Sequence, residues 1–305
     1  MHFFLKINNL KISLLVIRSL IGIVFIASSL LKLISIDNFE IYVYSLGLLN
    51  LELSLIFVRF LLAFELILGL MLLLGVYTKH TVWISIIILL GFTVFITTLI
   101  ITNQTEHCHC FGDKIQLNHY QSIIKNIILI PFLFFVRNTK NIFKRFQVLQ
   151  TIGIVLFSFM LIGFISPPDN FFRKSYDKKT TFQEKSLNQY LDESKLKSGK
   201  HIISFLSPQC HFCDLGSKKL QIILGKIKND YNSKLVFWGE EAAIKNFINE
   251  HNFETSDYDI LAPNYFLKIT DGSMPLFLLI ENGQVVQKYG YRNLNEGEIV
   301  GFFDN

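Results

Sequence analysis

His201-Ile202-Ile203-Ser204-Phe205-Leu206, then Ser207-Pro208-Gln209, then Cys210-His211-Phe212-Cys213, is the stretch on which the reading of this chain turns. Its first six residues are mostly apolar and predict a buried strand. Ser-Pro ends that strand, and an amphipathic helical run follows from about Asp214 to Ile227. The Cys-x-x-Cys therefore falls where a strand hands over to a helix. A thiolate there is stabilised by unpaired backbone N–H groups and the helix dipole, which lowers its pKa. The first cysteine is then the exposed one, so Cys210 is the expected nucleophile. Cys213, one turn in, is the expected resolving thiol. His211 adds positive charge near Cys210, which favours the thiolate and a more oxidising disulfide, and Phe212 completes the intervening dipeptide.

Downstream, Lys234–Trp238 predicts a second strand and about 240–251 a helix. Met274-Pro275 precedes a strand at Leu276–Glu281. Asn282-Gly283 is a strong two-residue hairpin signal, with Gln284–Tyr291 as the returning strand and a short amphipathic helix at the end. Over roughly 195–305 this order resembles the thioredoxin-like superfamily. The resemblance implies a cis Pro275, after Met274, facing the two cysteines. A zinc half-site or an inert bridge is the plainer alternative for the pair. Neither a second CxxC nor an HxxxH accompanies it between 199 and 305 to complete a zinc ligand set, so no metal ligands are expected.

Ahead of Pro167-Pro168 the composition changes. Of all residues 51% are hydrophobic, and they concentrate between Ile12 and Ser166. A membrane span takes about 20 mainly apolar residues. The segments at about 12–35, 52–76, 81–102 and 148–166 meet that readily. A fifth, about 120–136, carries Lys125, Asn126 and Pro131; it counts as a span with Lys125 snorkelling from near its end. The first apolar run continues to Lys32, too long for a cleaved signal peptide. The expected protein is thus multi-domain: an α-helical transmembrane bundle of about five spans plus an α/β thioredoxin-like domain. Its parts are a four-span membrane domain at 1–147, a fifth span at 148–166, a tether at 167–198 and the CxxC domain at 199–305. Within the tether, Thr181-Phe182-Gln183-Glu184 reads as a capping box ahead of an amphipathic helix.

Loop charges set the expected orientation. Lys6, Lys11, Arg18, Lys79, Arg137, Lys140, Lys144 and Arg145 mark one side; Asp37, Glu40, Glu106 and Asp113, with Lys114, mark the other. Positive loops stay in the cytoplasm. That places the N-terminus inside a bacterial inner membrane and the CxxC domain outside, in a disulfide-permissive compartment. The bilayer is one expected partner, and thiol or disulfide client proteins are the other. The net charge of +5 comes without a dense basic stretch interleaved with aromatics, which argues against nucleic acid.

The chain has only four cysteines, in two close pairs. The second pair lies in Cys108-His109-Cys110-Phe111-Gly112, just past the third span. Together with Glu65-Leu66-Ile67-Leu68-Gly69 and Ser29-Leu30-Leu31-Lys32, this element resembles the DoxX-like membrane proteins of the methylamine-utilisation MauE type, over about 12–140. The resemblance implies a redox-associated protein that serves maturation of extracytoplasmic disulfide-rich enzymes such as methylamine dehydrogenase. Here a thioredoxin-like domain and an extra span are added. A disulfide across one intervening residue departs from relaxed geometry and is labile and oxidising, which suits a transfer site. A tether of about 33 residues has a coil reach of roughly 30 Å, enough for Cys210 to meet Cys108 or Cys110. The expected activity is thiol–disulfide oxidoreduction, with electrons relayed between the CxC loop and the CxxC and no cofactor beyond the redox-active disulfides.

Two alternatives stand beside it. His107, Cys108, His109 and Cys110 offer donors for Cu(I) or another thiophilic ion, which points to a metal transporter or chaperone. A quinone-linked disulfide generator, like the vitamin K epoxide reductase type, is the second. Glu65, near the middle of the second span, reads as a proton site, part of a quinone pocket, or a structural partner of Arg18 or Arg59. Arg18 and Lys32 are expected to snorkel from the span ends.

Overall fold

The computed structural model describes residues 2–101, 118–139, 141, 146–253 and 257–304, and for 2–11 the backbone alone. The chain divides into two compact units. One comprises Met1–Tyr42 and Leu55–Pro167, the other Val43–Ser54 and Pro168–Asn305.

The first unit is helical. Its elements are α1 (His2–Ile34), α2 (Ile36–Ser45), α3 (Leu51–Leu74), α4 (Thr78–Ile101), α5 (His119–Val136) and α6 (Gln147–Ile165), of which α2 and the first turn of α3 are shared with the second unit. Among the described residues five helices are long and apolar enough to cross a membrane, beginning with Ile12–Ile34 of α1. They lie where the hydropathy placed the spans. α5 starts from a capping box, in which Asn118 and Gln121 exchange side-chain and backbone hydrogen bonds, and keeps Pro131 inside it. Its 18 residues give about 27 Å of helix at 1.5 Å per residue, close to the hydrocarbon thickness. α2 was not foreseen, because it follows α1 after a single-residue break at Ser35.

Two glycines let α1 and α3 approach closely. A Cβ on Gly22 would lie 2.8 Å from the carbonyl oxygen of Gly69, and one on Gly69 2.8 Å from that of Gly22. Small residues serve this purpose in helix pairs within lipid. Beside the crossing, Ser29 Oγ donates to the Leu62 carbonyl at 2.8 Å. Lys32 Nζ reaches Glu65 Oε1 at 2.5 Å, and Ser28 Oγ donates to Glu65 Oε2 at 3.3 Å. Glu65 therefore pairs with Lys32, not with Arg18 or Arg59. Nor does Lys32 snorkel: it is 2% exposed, held against the carboxylate and the Phe39 and Phe92 rings. Arg18 is buried too, its guanidinium against Gly75 and its Nη1 donating to Thr139. Arg59 pairs with Glu40 at 2.5 Å and donates to the Ser166 and Pro167 carbonyls, where α6 ends. A buried carboxylate far from water is retained only with such partners.

The second unit adds α7 (Asp169–Lys179), α8 (Glu184–Glu193), β1 (Lys200–Leu206), α9 (His211–Leu224), β2 (Asn232–Phe237), α10 (Glu241–Glu250), β3 (Asp257–Ile260), α11 (Pro263–Thr270), β4 (Leu276–Glu281), β5 (Gln284–Tyr289) and α12 (Glu296–Asp304). The sheet order is β3-β2-β1-β4-β5. β1, β2 and β3 run parallel, whereas β4 is antiparallel to β1 and β5 to β4. Alternation along β1 sorts the core into two layers. Ile202 and Leu206 pack with Leu220, Ile223 and Phe247 of α9 and α10, while Ile203 and Phe205 pack with Leu187, Leu191 and Phe266 of α8 and α11. Asn282 and Gly283 both take positive φ, 51° and 79°, as a type I′ hairpin demands. A parallel β-α-β core with an antiparallel hairpin on its far edge is the thioredoxin-like arrangement.

Residues 167–198 are not a coil tether. α7 and α8 occupy most of that stretch, and α8 buries Leu187, Tyr190 and Leu191 at helical spacing beneath the sheet. The expected capping box is absent as well. α8 starts at Glu184 after Gln183, whose side chain makes no cap bond, while the Thr181 backbone N–H donates to Ser273 Oγ at 2.9 Å. β3 and α11 had no clear sequence signal.

The two pieces of the second unit are separated by α3, α4, α5 and α6.

Candidate functional site at the head of α9

β1 ends at Leu206, and Cys210 stands as the N-cap of α9 with extended backbone (φ −94°, ψ 111°). An N-cap side chain normally offers an oxygen to the first free backbone N–H groups. Here sulfur takes that role: Cys210 Sγ accepts from the Cys213 backbone N–H at 3.3 Å. Cys210 is partly exposed, whereas Cys213 is fully buried. The accessible first sulfur and the buried second one match the exposure expected from the motif.

The two thiols are made unequal. A hydrogen bond from the Cys213 side chain, then the backbone N–H groups of Cys213 and Phe212, hold the Cys210 thiol at about 7, against an ordinary value of 9.0; partial burial opposes them. For Cys213 the same bond acts in the opposite sense, and with burial it pushes that thiol far up. One sulfur is thus ionised near neutrality while its neighbour keeps its proton. His211 is exposed, with its ring 5.7 Å from that of Phe212. Hydrogen bonding is the largest cause of the lowering at Cys210.

The Met274–Pro275 peptide is cis, and Met274 packs against the core that contains Cys213, as does Cys210. Gly216 brings α9 down onto this turn: a Cβ there would lie 3.0 Å from Pro275 Cγ and from Phe277 Cζ. Gly216 was missed in the sequence, although a glycine three residues after Cys213 is a readable signal of close approach. Beside the cysteines opens a cavity of about 420 Å³, lined among others by Tyr176, Phe212, Ser273, Pro275 and Arg292. Phe212 forms one wall, with its ring 5.6 Å from that of Tyr291. α7 forms another wall through Tyr176 and Lys179. It is tied down by Arg292 to Asp169 at 2.9 Å and by Asn293 to Asp177 at 2.5 Å. Nothing in the sequence linked α7 to the site.

Of the other expected site residues, Glu65 belongs to the first unit. Cys108, Cys110, Phe111 and Gly112 lie outside the described residues.

Fold and site together define a membrane-spanning helix bundle joined to a thioredoxin-like unit with its Cys-x-x-Cys at a helix N-terminus. Comparison with known proteins adds particulars. Residues 10–137 match the family model described as Methylamine utilisation protein MauE. Protein TlpB of Flavobacterium psychrophilum is 32% identical over 163 residues, which is 50% of this chain and 44% of the relative; the chain thus spans under half the length of that curated relative. Two solved structures each cover 36% of the chain at a TM-score of 0.31. They are a secreted Mycobacterium tuberculosis disulfide oxidoreductase homologous to E. coli DsbE (13% identity, 84% of that chain) and the thioredoxin domain of a thiol-disulfide oxidoreductase from Bacteroides vulgatus (16% identity, 83% of that chain).

Proposed function

We propose that the protein is a membrane-bound thiol–disulfide exchange protein acting on extracytoplasmic client proteins. The observation that carries this reading is the unequal thiol pair at the head of α9, one sulfur accessible and lowered to about 7 by hydrogen bonds, the other buried and pushed up. In the reducing direction, the Cys210 thiolate attacks one sulfur of a client disulfide. A Cys210–client mixed disulfide forms and the other client sulfur leaves as a thiolate. Cys213 then loses its proton and attacks Cys210 Sγ, which closes the Cys210–Cys213 disulfide and releases the second client thiolate. Two electrons pass to the client and two protons balance its new thiols; the reverse sequence oxidises a client.

The finer part of the proposal is a relay. The Cys210–Cys213 pair exchanges electrons with Cys108 and Cys110 on the same side of the membrane, the outer side by the distribution of Lys and Arg among the loops. The match of residues 10–137 to the MauE model supports a redox-associated membrane part. The test is thiol trapping in intact cells. Cys213→Ser should accumulate mixed disulfides through Cys210, and some should link to Cys108 or Cys110. If Cys213→Ser traps nothing, exchange at Cys210 is wrong. If it traps clients but the redox state of Cys210–Cys213 is unchanged by Cys108→Ser/Cys110→Ser, the relay alone is wrong.

A further inference from the structure

A second cluster of chemistry-bearing groups lies at the junction of α9 and α10. Asp214 is in the first turn of α9, Glu250 ends α10 and His251 is the residue that caps it. One ligand atom from each lies within 4.8 Å of the other two. A tetrahedral zinc ion holds donors at about 2.0–2.2 Å from itself and so roughly 3.4 Å from one another. A small side-chain closure would bring the three to that spacing.

His251 turns this from a surface pair of carboxylates into a built site. Its side chain is fully buried, and both ring nitrogens lack a hydrogen-bond partner. Burying a polar group with no partner is costly, and the ring is fixed there by Phe247, 4.1 Å away between centroids, and by Phe253. Its Nε2 faces Asp214 Oδ1 at 3.1 Å without meeting hydrogen-bond geometry. Lys218 takes the other Asp214 oxygen at 3.1 Å, which leaves Oδ1 toward the imidazole. Glu250 is exposed and brings a second carboxylate from the solvent side.

We propose that Asp214, Glu250 and His251 form a binding site for a first-row divalent cation such as Zn²⁺, with its remaining coordination positions open to water. One nitrogen and two carboxylate oxygens suit zinc-like ions better than thiophilic ones. This site is separate from the cysteine loop at 108–110, and it stands or falls independently of the exchange chemistry.

The test uses the full-length, untagged chain in detergent, carrying Cys108→Ser/Cys110→Ser and with Cys210–Cys213 oxidised, so that no thiol acts as a ligand. Zn²⁺ is titrated against a chromophoric chelator. The parent should bind one more Zn²⁺ than Glu250→Gln or His251→Gln, or bind it at least tenfold more tightly. Because Glu250 is exposed, Glu250→Gln leaves the fold intact. Zn²⁺ binding within twofold of the parent in both Glu250→Gln and Asp214→Asn, or no measurable binding to the parent, would overturn the proposal.

Discussion

Lys32 of α1 and Glu65 of α3 meet at 2.5 Å inside the helix bundle, with Ser28 donating to the free carboxylate oxygen. Removing one member of a buried pair leaves an uncompensated charge, which costs about 3–5 kcal/mol. Lys32→Met and Glu65→Met should each lower the thermal stability of the detergent-solubilised protein strongly. The double variant should recover most of the loss. Equal loss in single and double variants would mean that the two charges do not act as a pair.

The glycines of the bundle separate into two kinds. Gly69 has backbone of α1 within 3 Å of where a Cβ would stand, whereas Gly91 of α4 has nothing within 4 Å. Gly69→Ala should destabilise the protein by about 1–3 kcal/mol through overpacking. Gly91→Ala should be neutral or stabilising by up to about 1 kcal/mol, from helix propensity alone. Thermal melts of both variants in one detergent decide the contrast.

Cys210 should titrate well below an ordinary thiol. Its folded value is depressed, so the favourable interaction of the thiolate is complete above about 9 and disappears as pH falls through about 7. Alkylation of the reduced protein at Cys210 should therefore rise with a midpoint near pH 7. Cys213→Ala removes the largest cause of the lowering and should move the midpoint upward. Cys213→Ser keeps a donor and should move it less. An unchanged midpoint in Cys213→Ala would assign the lowering to the helix N-terminus alone.

α7 is pinned beside the cavity by the pair of Arg292 with the buried Asp169. Arg292→Ala leaves that carboxylate without its ion pair, at a cost of about 1–3 kcal/mol. The expected signs are faster proteolysis within α7 and fewer mixed disulfides trapped in a Cys213→Ser background. Unaltered trapping would separate α7 from client binding.

Much of the second unit was legible because its signals are local. The apolar run of β1, the Cys-x-x-Cys at the next helix, the cis Met274–Pro275 and the Asn282-Gly283 turn each occupy a few adjacent residues. β3 was not legible: it is four residues long, Asp257–Ile260, and carries two aspartates. They fit because Lys234 of β2 reaches both, at 2.7 and 2.9 Å, a contact no sequence period reveals. Charges within the spans were misread for the same reason. Lys32 stands near the end of its span and looks like a snorkelling residue until Glu65 is placed opposite it, 33 positions on. The unforeseen α7 wall of the cavity depends on Arg292, more than 120 residues beyond Asp169.

The second unit takes Val43–Ser54 from far up the chain. Tyr44 is fully buried in it, with Lys226 Nζ 4.4 Å from its ring centre, and the Leu51 N–H donates to Glu296. Leu51 precedes Glu296 by 245 positions. At about 5–20 residues per second, a ribosome needs on the order of 10–50 s to make the second after the first. Through that interval the early segment exists without the apolar seat it later fills. The thioredoxin-like unit is therefore among the last parts of the molecule to be completed, and a gene cut at codon 168 would encode it without the buried Tyr44 and Leu51.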